Sequence, residues 1–137
     1  MKKALGIALQ LLAMVVWVLF IATQLYDPQL EGAGLVIWRV LAPIMVLGVL
    51  VAVYVAFDRK RRHDSSAATG LTRDYFEANV ILYGGIALLH AILWNWIGFQ
   101  FSDPATMHLW LWATIAISLP LLLGPTGRRL IVGSSPA

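Results

Sequence analysis

Arg39 and His90 are ionisable side chains inside otherwise apolar stretches, and any chemistry performed within those stretches would start from them. An arginine at the centre of a bilayer costs roughly 2.5–3.5 kcal/mol on insertion scales. Arg39 therefore needs compensation. Its guanidinium either snorkels outward to Asp27, Glu31 or Asp103, or faces inward to hold an anionic ligand, a partner subunit's carboxylate or an indole face.

His90 has Tyr83, Ala87 and Trp94 at i−7, i−3 and i+4, which puts a phenol, a small gap, an imidazole and an indole on one helical face. Such a face suits a quinone, a proton path or another cofactor, whose identity stays unknown. Tyr83, His90, Trp94 and Arg39 are thus the candidate ligand-lining set. A neutral histidine that bonds to a neighbouring helix is the alternative.

Other chemistry is sparse. His108, Asp103 and Met107 are weak ligands on a loop and define no metal site. His90 and His108 differ in depth by on the order of 10 Å, too much for one haem to be shared within the chain. The chain has no cysteine, which excludes disulfides, thiolate metal sites and thiol redox chemistry. The apolar spans hold no Asp or Glu, and there is no phosphate-cradling glycine loop and no nucleophile with an evident base. Catalysis by this chain alone is not expected.

The elements that carry these residues follow from composition. With 60% hydrophobic and 12% charged residues, the chain is too apolar for water to be its main solvent. Four apolar segments, about 4–25, 35–57, 79–101 and 106–123, fall within the roughly 17–25 residues a spanning helix needs. The first follows Lys2 and Lys3 and is longer than the roughly 7–15 residues of a signal core, so it reads as a retained helix. Asp27-Pro28 and Asp103-Pro104 follow the first and third segments, a pair suited to opening the next helix. Pro43 is expected to kink the second helix, and Gly124-Pro125 to stop the fourth. Residues 58–77 form the only long loop, with Thr72 capping a re-entry into helix.

Nine of the ten basic residues flank the segments: Lys2 and Lys3, then Arg59 to Arg62 and Arg73, then Arg128 and Arg129. The two other loops carry none. By the positive-inside rule the basic loop and both termini are cytoplasmic, in a bacterial inner membrane. Charge gathered at helix ends speaks for topology and anionic headgroups, not for nucleic acid.

Trp38, Trp94, Trp96, Trp110 and Trp112 all fall in the half away from the basic residues. They suit an interfacial belt or a wall for a lipid tail, pigment or partner helix. Gly48, Ala52 and Ala56 recur every fourth residue as a smooth ridge, and Gly84 and Gly85 open the surface of the third helix for close packing.

The expected fold is an all-α, four-pass membrane domain of two helical hairpins. The expected role is an accessory subunit of a larger membrane complex, such as an electron-transfer or light-harvesting assembly, contacting lipid or cofactor through its aromatic half. A small homo-oligomeric transporter or channel and a histidine-ligated redox protein are the alternatives. The bilayer, and other membrane subunits or further copies of this chain, are the expected partners.

Overall fold

The computed structural model describes residues 1–26, 33–65, 72–101 and 109–133. They form four helices: α1 (Lys2–Tyr26), α2 (Ala33–Asp64), α3 (Arg73–Phe101) and α4 (Leu109–Val132). Each is long and apolar enough to cross a bilayer. Large apolar side chains such as Leu11, Met14, Val18, Leu47, Ile117 and Leu121 point away from the bundle. A helix apolar all round has no polar face to turn to water, so this outer surface is matched to acyl chains.

Three helices run further than the hydropathy pattern indicates. The basic run 59–62 continues α2 to Asp64 instead of opening a loop after Phe57. Leaving hydrocarbon does not end a helix whose charges pair along one face. Here Arg62 bonds to Asp58, and Lys60 Nζ lies 2.6 Å from Asp64 Oδ2, both at i,i+4 spacing. At the other side of the connection, Thr72 Oγ1 accepts the Tyr75 amide at 3.2 Å and caps α3.

Gly124-Pro125 does not stop α4, which continues to Val132. Pro125 lacks the N–H that the Leu121 carbonyl would accept, and tertiary packing offsets that loss. Thr126, 1% exposed, donates its hydroxyl to the Leu122 carbonyl at 2.8 Å. One residue on, Gly127 meets α1: a Cβ there would lie 2.7 Å from the Gly6 carbonyl oxygen, and a Cβ on Gly6 would lie 2.6 Å from the Gly127 carbonyl oxygen.

That backbone-to-backbone approach sets the packing. The extensive contacts are α1 against α4 and α2 against α3, while α1 and α2, neighbours in sequence, touch least of the helix pairs that meet. The bundle is thus joined across chain order, and α1 is not zipped to α2 as a simple pair of hairpins would have it. Val16, Met45, Val49, Ile92, Ile115, Leu119 and Leu123 fill the centre with side chains under 2% exposed. Since lipid tails are as apolar as leucine, this core is held by close-packed dispersion contacts more than by escape from water.

Candidate functional site

The residues singled out by type fall into separate places. Tyr83, Ala87, His90 and Trp94 do share a face of α3, and it is the outer face: all four are exposed, Tyr83 at 61% and Trp94 at 67%. The His90 and Trp94 rings stack with centroids 6.5 Å apart and planes at 20°. His90 lies eleven residues before Phe101, about 16 Å along the helix. Arg39 belongs elsewhere, half-buried and engaged near the start of α2. Its expected partners Asp27, Glu31 and Asp103 lie outside the described residues, as do Met107 and His108.

The small residues divide in the same way. Gly48, Ala52 and Ala56 are buried, and a Cβ on Gly48 would come within 2.6 Å of a Leu12 methyl on α1. Gly85 is equally close to Val53 of α2, at 2.7 Å. Gly84 has no such role within the chain, because a Cβ there would meet nothing within 4 Å. It opens onto a shallow groove of about 380 Å³ between α3 and α4, next to Ala87 and Ala91, with Thr114 and Ser118 on the far side.

The tryptophans also split. Trp38 of α2 and Trp112 of α4 are buried with ring centroids 5.5 Å apart, whereas Trp17, Trp94 and Trp110 are exposed. Asn95 Nδ2, Trp96 Nε1 and Trp112 Nε1 are buried donors with no acceptor among the described residues. The aromatic half is therefore part core and part lipid-facing belt.

Pattern reading missed the best-formed polar site, at the opposite end. Lys2, Arg59, Arg62 and Arg129 come from the start of α1, the last turns of α2 and the end of α4, and they converge on one cleft of about 1100 Å³. Arg129 holds Glu77 with Nε to Oε1 at 2.9 Å and Nη2 to Oε2 at 2.5 Å, and reaches Asp74 Oδ1 at 2.9 Å. Arg59 donates to the Asp74 carbonyl at 3.1 Å. The His63 and Tyr75 rings lie with centroids 4.5 Å apart and planes tilted by 30°, and close the α2–α3 corner. The signal available in the sequence was three basic groups bound to meet if the helices alternate in direction; what it lacked was the cleft between them.

Among the described residues no three His, Asp or Glu side chains are grouped to hold a metal ion. Fold and sites together define a multi-pass helical membrane protein. No family model matches the chain, and no curated protein or solved structure is significantly similar to it, so function has to be argued from geometry.

Proposed function

We propose that the protein is an accessory subunit of a larger membrane assembly, bound to a transmembrane helix of another polypeptide through the outer face of α3, with its basic end in the cytoplasm. The observation that carries this reading is the outward position of His90 on a helix long and apolar enough to cross a membrane. An imidazole facing hydrocarbon leaves its N–H and its lone pair unsatisfied, and polar residues inside membranes are by rule turned to protein or water. A partner helix supplies the missing bond. The groove at Gly84, Ala87 and Ala91 supports the same face, since small residues let a second backbone approach closely and Gly84 spends its space on nothing within the chain.

The orientation rests on the gathering of nine basic residues at one end and the positive-inside rule. The test is extraction in a mild detergent, followed by mass determination of the intact particle. Other polypeptides retained in fixed ratio are expected, and their loss in His90→Leu would place the contact. A particle containing copies of this chain alone would overturn the subunit reading and favour the homo-oligomeric transporter.

A further inference from the structure

We propose that the cleft at the basic end is a binding site for one anionic phospholipid, with the phosphate between Lys2 and Arg59 and an acyl chain lying in the wedge between α1 and α2.

The wedge has a structural cause. At mid-depth α1 touches α2 where Leu12 meets Gly48, and toward the basic end Gly6 is drawn against Gly127 of α4. Toward the basic end Leu5 of α1 and the facing residues of α2 line an open cleft. The opening is walled by Leu5 of α1, by Leu47, Leu50, Val51 and Tyr54 of α2, and floored by Leu130 of α4. Its volume of about 1100 Å³ is at the upper limit of small-molecule sites, roughly 300–1,000 Å³. From Arg59 to Leu47 is twelve residues, about 18 Å of helix. That is a little over half the roughly 30 Å hydrocarbon core, the depth of one leaflet. A wedge tapering to a side-chain contact admits a flexible chain more readily than a helix roughly 10 Å across.

The rim selects the headgroup. Four cations and two carboxylates line it, Lys2, Arg59, Arg62 and Arg129 against Asp58 and Asp74. Both carboxylates are taken, Asp58 by Arg62 and Asp74 by Arg129. A choline ammonium would thus meet guanidinium groups and no free carboxylate, whereas a net negative headgroup adds only favourable contacts. Lys2 is exposed and makes no salt bridge among the described residues, and Arg59 meets Asp74 through Nη2 alone, 3.1 Å from the carbonyl oxygen and 3.9 Å from Oδ1, with its other nitrogens unbonded among the described residues. These two are the donors open to a phosphate; Arg129 is committed to Glu77 and holds the floor in place. A free phosphate would use the rim and leave the apolar wall idle, which is why the occupant is a lipid. This inference is independent of the α3 face and of which compartment the basic end faces.

The experiment is native mass spectrometry of the full chain released from nanodiscs of phosphatidylcholine and phosphatidylglycerol at three to one. One retained phosphatidylglycerol is expected, with about tenfold less retention in the Lys2→Gln/Arg59→Gln double variant. Val51→Phe, which fills the wedge without touching a charge, should lower retention similarly and keeps the question answerable if the double variant fails to fold. Arg61→Gln, an exposed cation outside the cleft, should change nothing. Equal retention of phosphatidylcholine, an equal loss in Arg61→Gln, or insensitivity to Val51→Phe would overturn the proposal. So would displacement of the lipid by inorganic phosphate at 10-fold excess, which would leave only an anion site.

Discussion

Arg129 and Glu77, fifty-two residues apart in sequence, are joined by a bidentate contact, Nε to Oε1 at 2.9 Å and Nη2 to Oε2 at 2.5 Å. It fastens the end of α4 to the second turn of α3, two helices whose contact along the rest of their length is modest. The fork geometry is specific to arginine, because a planar guanidinium matches both carboxylate oxygens and an ammonium cannot.

Glu77→Ala should therefore lower stability by about 1 kcal/mol, a figure reduced for the solvent access of a pair about one-third exposed. Arg129→Lys should lose a good part of the same amount. Breaking the exposed i,i+4 pair of Asp58 and Arg62 should shift the thermal midpoint in detergent far less, since that bond lies within α2 alone. Equal shifts for the two pairs would mean that the α3–α4 tie adds nothing.

The two kinds of glycine give opposite expectations. Gly127→Ala and Gly6→Ala each place a methyl within 2.7 Å of a carbonyl oxygen on the facing helix, which forces α1 and α4 apart. Overpacking of this sort costs roughly 1–3 kcal/mol, more than the helix-propensity gain of up to about 1 kcal/mol from replacing glycine. Gly84→Ala keeps the gain and meets nothing within 4 Å, so it should raise the unfolding midpoint of the isolated chain. Thermal unfolding of the three variants side by side decides this; a destabilised Gly84→Ala would contradict the open-space geometry.

How far the sequence announces this structure depends on the residue. Apolar run lengths are enough to give four helices, because hydrocarbon leaves a chain no other way to satisfy its backbone. Helix ends are another matter. Arg59 to Asp64 looked like a loop because hydropathy reports where hydrocarbon stops, while i,i+4 pairing decides where the helix stops. Pro125 looked like a stop because its local cost is visible in sequence, whereas the compensating meeting of Gly6 and Gly127 spans the whole chain and is not. His90, Tyr83 and Trp94 share a face as their spacing requires, yet spacing alone cannot tell an inward face from an outward one. The basic cleft was least legible, since its walls come from four separate segments.

Replacement of His90 by Leu separates a docking role from a folding role. The side chain is exposed and its one ring contact is with Trp94 on the same helix, so the isolated chain should unfold at an unchanged or slightly higher temperature. Recovery of partner polypeptides after mild extraction should fall, by roughly tenfold if one interhelical hydrogen bond of about 1–2 kcal/mol is lost. Gly84→Leu should reduce recovery in the same way by filling the groove. Loss of stability in the isolated chain with partners retained would assign His90 to folding instead.

Asn95 supplies the sharpest test of the opposite half. Its residue is 4% exposed and its Nδ2 has no acceptor among the described residues, where the Trp96 and Trp112 indole N–H groups have none either. A buried donor without a partner costs about 1–3 kcal/mol, and a chain that needed only packing there would carry a leucine. Asn95→Leu is expected to raise the stability of the purified chain by about 1 kcal/mol, because it removes that penalty while keeping the volume close. The measurement is the thermal midpoint in a detergent that contributes no carbonyl or phosphate acceptor. A lower midpoint would show that the amide is bonded in the folded protein, and would turn this donor-rich layer of Asn95, Trp96 and Trp112 into the place to look for an acceptor-bearing ligand.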